Sequence, residues 1–134
     1  MALNEREQAD LKWEFDHRLE TYKSMIVISG EFFKYMALLN GGAAAGMVAT
    51  MDKLQPIIGV GAMRLAVGSF VLGLAFNGVA LFLSYLTQNM LYGDAIGRRN
   101  NGDHGNYLFA CLLFCILSLV AFCAGAVSAV FGIK

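Results

Sequence analysis

Few side chains in this sequence are spaced to do covalent chemistry. His17 and His104 fall in separate segments, and neither stands in the H-x-x-x-H spacing that puts two imidazoles on one helix face around a metal. Cys111, Cys115 and Cys123 all lie in one uncharged apolar run. A thiolate there, without a cation beside it, is costly, so these cysteines read as small packing residues. Three is an odd number and makes no disulfide framework. The glycines at 41, 42 and 46 precede no Lys-Ser or Lys-Thr and so form no phosphate loop. The residues point away from an enzyme, and no cofactor or metal is expected.

The informative polar atoms are those placed where water is scarce. Asn40 and Asn77 carry amides inside apolar stretches, and hydrocarbon offers an amide no partner. Each must meet another helix, a backbone carbonyl or water. On the segment around Asn77, the residues Ser69, Gly73, Asn77, Ala80, Ser84 and Gln88 recur at steps of three or four and share one helix face. Two readings follow. The amides make interhelical hydrogen bonds, each worth about 1 kcal/mol. Alternatively, the file lines a wet path, with Asn40, Ser69, Asn77, Ser84 and Gln88 as pore-lining candidates. Three helices cannot enclose such a path, so it requires a ring of copies.

The elements that hold these residues are set by an apolar run. Tyr107 to Ile133 contains no charge and no proline. As a helix it is about 40 Å long, against the roughly 30 Å of hydrocarbon in a bilayer. Composition agrees: 57% of the 134 residues are hydrophobic, and fifteen glycines accompany a single proline. The ten basic and ten acidic residues cancel, so there is no global pull toward nucleic acid. A second apolar segment covers 57–91, with Arg64 its only charge, placed to snorkel toward headgroups. The Asp52-Lys53-Leu54-Gln55-Pro56 stretch before it reads as a turn, with Pro56 starting the next helix. A third segment, about 31–51, is shorter and small-sided. Gly42 and Gly46, four apart, allow close helix approach, as do Gly73, Gly125 and Ala129 on the other spans.

Residues 4–24 are expected to form an amphipathic helix. Asn4 with Glu7 fits an N-terminal cap, and Glu14 with Arg18 an i,i+4 pair. Leu11, Phe15, Leu19, Tyr22 and Ile26 make one apolar stripe. Acids and bases alternate around it, which favours packing on its own copies or on neighbours. The charged N-terminus is not a cleavable signal, so insertion falls to the internal segments. The expected fold is an all-α membrane protein of three transmembrane helices. The N-terminal helix, 1–24, continues into the first span, and 25–134 form the membrane domain. Lys23, Lys34, Arg98 and Arg99 outweigh the basic charge opposite, which places the N-terminus and the 92–106 loop in the cytoplasm.

The run Leu39-Asn40-Gly41-Gly42-Ala43-Ala44, at the junction of a charged helix and a span, resembles a motif of small multi-span membrane effectors in bacterial anti-phage systems. The layout is similar to the Hailong type, in which a small channel protein is paired with a nucleotidyltransferase. The resemblance implies a homo-oligomeric inner-membrane ion channel, taken as four copies. It is held shut by DNA oligomers made by the partner and depolarises the infected cell on opening. It carries over no ligand-binding motif residue by residue. For an anionic gating ligand the sequence offers Lys23, Lys34, Arg98 and Arg99, with Glu31 placed to pair with Lys34. Two other readings remain beside it. One is a phage holin-like lysis pore. The other is a non-conducting membrane adaptor that recruits a soluble partner.

Overall fold

The structure is a computed structural model and describes residues 4–95 and 104–133. Among these residues every regular element is an α-helix: α1 (Glu5–Ala49), α2 (Met51–Ile58), α3 (Val60–Ala95) and α4 (His104–Phe131). The chain divides into two compact units, Met1–Lys34 and Tyr35–Lys134. Arg98 and Arg99 lie outside the described residues.

The first unit is the charged part of α1. Its start is closed by reciprocal bonds: the Asn4 N–H donates to Glu7 Oε2, and the Glu7 N–H donates to Asn4 Oδ1, both at 2.9 Å. This satisfies two amides that a helix start otherwise leaves open. Arg18 pairs with Glu14, and Lys34 pairs with Glu31 at 2.7 Å. Both pairs are exposed and contribute a few tenths of a kcal/mol at most (about 0.3–0.5). The helix passes through Gly30 without a break.

The second unit is built on α3 and α4. Buried positions on α3 fall at Met63, Ala66, Phe70, Gly73, Asn77, Ala80, Thr87 and Gly93, and on α4 at Cys111, Cys115, Ser118, Ala121 and Gly125. Steps of three and four from Met63 to Ala80 and from Cys111 to Gly125 keep one seam facing the partner along each helix. The two helices run antiparallel. Cys111 Sγ donates to the Ala80 carbonyl at 3.2 Å, Ser118 Oγ donates to the Gly73 carbonyl at 2.8 Å, and Phe70 packs on Phe122 with ring centroids 5.7 Å apart. The Tyr35–Ala49 part of α1 adds Met36, Asn40 and Ala44 to the buried set. Ala44 joins Ala66 and Phe70 in a small core against which Phe122 and Ala129 pack.

Two helices are long and apolar enough to cross a membrane, over Val60–Gly93 and Gly105–Phe131. Only 28% of each apolar window is buried in the chain. The core helix of a water-soluble protein hides most of its apolar surface, whereas here Leu72, Leu81, Phe82, Leu108 and Phe109 face outward. The segment expected over 31–51 is not among the two. Its apolar stretch is short, and Asn40 and three glycines dilute it.

The link between α1 and α3 differs from the turn expected at 52–56. Those residues are helical and form α2, with Pro56 inside it. The break comes at Gly59, whose φ of 83° and ψ of 148° lie in a region open essentially to glycine alone. Thr50 separates α1 from α2, its hydroxyl donating back to the Gly46 carbonyl at 2.7 Å.

Candidate functional site

The polar candidates converge on one point. Asn40 on α1 is fully buried, and so is Ser118 on α4. Asn40 Nδ2 donates to Ser118 Oγ at 3.3 Å and to the Met36 carbonyl of its own helix at 3.2 Å. Ser118 Oγ passes the chain on by donating to the Gly73 carbonyl of α3. A hydroxyl is both donor and acceptor, so this one side chain joins three helices. Ser118 is also the middle residue of the apolar stretch Gly105–Phe131. The polar contact therefore lies near the middle of that stretch, among buried side chains, where an unmade hydrogen bond is costly.

Glycine makes the contact possible. A Cβ at Gly73 would stand 2.2 Å from Asn40 Oδ1, so only a bare Cα admits the amide. Asn40 Oδ1 itself is buried without a hydrogen-bond partner. It lies against the Gly73 backbone, where a weak Cα–H contact is the available compensation. Gly125 plays a similar part for an aromatic ring: a Cβ there would meet Phe70 Cε1 at 2.6 Å. Ala129 is half-buried against the same Phe70 core. Gly42 and Gly46 differ, since both are exposed and nothing lies within 4 Å of an added Cβ.

The file on α3 is thus largely turned inward. Gly73, Asn77 and Ala80 are buried in the chain's own packing, Ser69 and Ser84 are half-buried, and Gln88 is exposed. In the single chain, Asn40 and Asn77 face protein rather than an open axis. Of the ligand-gating candidates, Lys23 is exposed on α1, Glu31 and Lys34 hold each other, and Arg98 and Arg99 lie outside the described residues.

Ser118 was the residue that sequence reasoning did not select. The signal was present: it is the one hydroxyl between Leu108 and Val127. Cys111 and Cys115 are buried in the packing, Cys123 is exposed, and all three are free thiols. Among the described residues no three His, Cys, Asp or Glu side chains cluster to hold a metal. A groove of about 440 Å³ lies between α2, α3 and the end of α1, walled by Met47, Met51, Val60 and Met63, with Gln55 and Arg64 its polar members. Comparison with family models, with curated proteins and with solved structures gives no match for this chain. Fold and site together define an all-helical protein with two helices long and apolar enough to span a membrane, joined near their midpoints by a buried polar contact.

Proposed function

We propose that this chain is a three-span, homo-oligomeric channel effector of the bacterial inner membrane, with its N-terminus in the cytoplasm. It acts in anti-phage abortive infection by depolarising the membrane. A cytoplasmic anionic ligand, a DNA oligomer or nucleotide supplied by a nucleotidyltransferase partner, sets the balance between shut and open rings. The observation that carries this reading is the burial of Asn40, Asn77 and Ser118 on three helices, the last two near the middle of the apolar segments of α3 and α4. Amides and hydroxyls among apolar helices are costly without a partner, and water in a ring of copies would supply one. On this reading the single-chain packing is the shut arrangement. Opening trades the Asn40–Ser118 contact for water inside a ring of copies, a shift between two packings that a ligand biases by its unequal affinity for them.

The test is conductance of the purified protein in planar bilayers, with and without short DNA oligomers, alongside toxicity in cells. Asn77→Leu is expected to abolish both conductance and toxicity. Bilayers that stay ion-tight under every ligand condition count against the channel.

The inward turn of the α3 file favours a second reading, the non-conducting adaptor, because amides engaged in fixed contacts need no water. A monomer in gentle detergent, with residues 1–24 capturing a soluble partner, would support the adaptor. The holin-like pore is separated by topology: a reporter that places the C-terminus in the cytoplasm would contradict three spans with a cytoplasmic N-terminus and favour lysis.

A further inference from the structure

The N-terminal unit leaves an apolar face with no cover in the chain. Leu11, Phe15, Leu19, Tyr22 and Ile26 are all exposed, Phe15 by 66%. Their steps of four, four, three and four are those of an 11-residue repeat. Leu11 and Tyr22, Phe15 and Ile26, and Leu19 and Gly30 each stand eleven apart, as do Lys12, Lys23 and Lys34 along one edge of the stripe. Eleven residues in three turns is about 3.67 per turn, which keeps such a seam nearly straight, with a slight right-handed supercoil. The opposite face is polar and aromatic, with Trp13 stacked on His17 at 5.3 Å between ring centroids, beside Ser24.

We propose that this face is a self-association surface, on which the N-terminal helices of several copies pack side by side in parallel. The inference rests on the homo-oligomeric reading above and names a surface distinct from the glycine faces of the apolar helices. Charge selects the occupant. Residues 5–24 carry six acids and four bases, an excess that repels anionic lipid and disfavours docking on the membrane surface. Lys34 is held by Glu31, and Lys23 has Glu20 in the corresponding place three residues earlier. Lys12 has Ala9 there and makes no ion pair among the described residues. The far edge of the stripe carries Glu7 and Glu14, with Glu14 paired to Arg18. In a parallel ring like residues share one level, so Lys12 of one copy meets Glu14 on the acidic edge of the next about 3 Å from its own height. Unlike edges that meet in this way fix both the direction and the register of neighbouring helices.

The experiment is oxidative cross-linking of the full chain in membranes. Single cysteines replace Phe15 or Tyr22 on the stripe, and Trp13 or Ser24 on the opposite face. The native cysteines stay in place, and the unsubstituted chain is the baseline. Assembly size in gentle detergent is measured on the same samples. Phe15→Cys and Tyr22→Cys are expected to give several-fold more linked dimer than Trp13→Cys and Ser24→Cys. Lys12→Glu is expected to lower the yield at position 15, and adding Glu14→Lys to recover it. An assembly of unchanged size that links equally well on both faces, or better at 13 and 24, overturns this interface and leaves the channel reading standing. A monomer in both detergent and membrane overturns both.

Discussion

Asn40 and Ser118 are 78 residues apart in the chain, yet the amide of one donates to the hydroxyl of the other at 3.3 Å, with both side chains fully buried. Ser118 then donates to the Gly73 carbonyl, so one hydroxyl holds α1 and α3 to α4. Ser118→Ala removes both bonds and leaves Asn40 Nδ2 with the Met36 carbonyl of its own helix and the longer contact to the Ser118 carbonyl at 3.5 Å. The expected loss is about 1 kcal/mol, the usual worth of a polar contact between helices in lipid or detergent. Reversible denaturation in micelles measures it, and an unchanged midpoint would show that the contact does not hold the helices together.

Gly73 is the steric partner of the same contact. Gly73→Ala puts a Cβ into Asn40 Oδ1, which has no room to retreat among three packed helices. Overpacking of this kind costs about 1–3 kcal/mol. The companion substitution Asn40→Ala removes the obstacle, so the double variant should be more stable than the sum of the single losses predicts. Thermal unfolding of the two singles and the double forms the cycle, and simple additivity would place the clash elsewhere.

Gly59 makes a backbone prediction. Its positive φ with extended ψ costs any other residue about 1–3 kcal/mol, and asparagine is not spared because the conformation is not left-handed helical. Gly59→Ala should therefore lower the unfolding temperature. Gly68→Ala should leave it unchanged or raise it, since Gly68 is helical and nothing lies within 4 Å of an added Cβ.

Much of the local structure was legible because its causes are local. The Asn4–Glu7 cap, the Glu14–Arg18 and Glu31–Lys34 pairs and the apolar runs of α3 and α4 depend on residues a few positions apart. The break at Gly59 was not legible. Pro56, in a charged stretch, is the stronger punctuation by composition, yet α2 carries it as its sixth residue and the backbone turns at the next glycine instead. The need of Asn40 for a partner followed from its surroundings. Its identity did not, because nothing local connects positions 40 and 118. The same holds for the α3 file: spacing puts Gly73, Asn77 and Ala80 on one face, but only packing decides that this face looks into the chain.

The glycines divide into two groups that one set of substitutions can separate. Gly125 lies against Phe70, so Gly125→Ala forces that ring to move and should destabilise the chain itself by about 1–3 kcal/mol. Gly42 and Gly46 face outward with open space beyond them, so Gly42→Ala and Gly46→Ala leave the chain's own packing intact and should not lower its unfolding temperature. If copies of the chain meet through that face, the same two substitutions hold the helices apart and shift the assembly toward smaller species. Small residues let helix backbones approach, and a methyl on each side undoes this. Unfolding temperature and assembly size are read on the same samples. A loss of assembly with an unchanged fold assigns the 42–46 face to contact between copies. An unchanged assembly assigns it to lipid and leaves association to surfaces elsewhere on the chain.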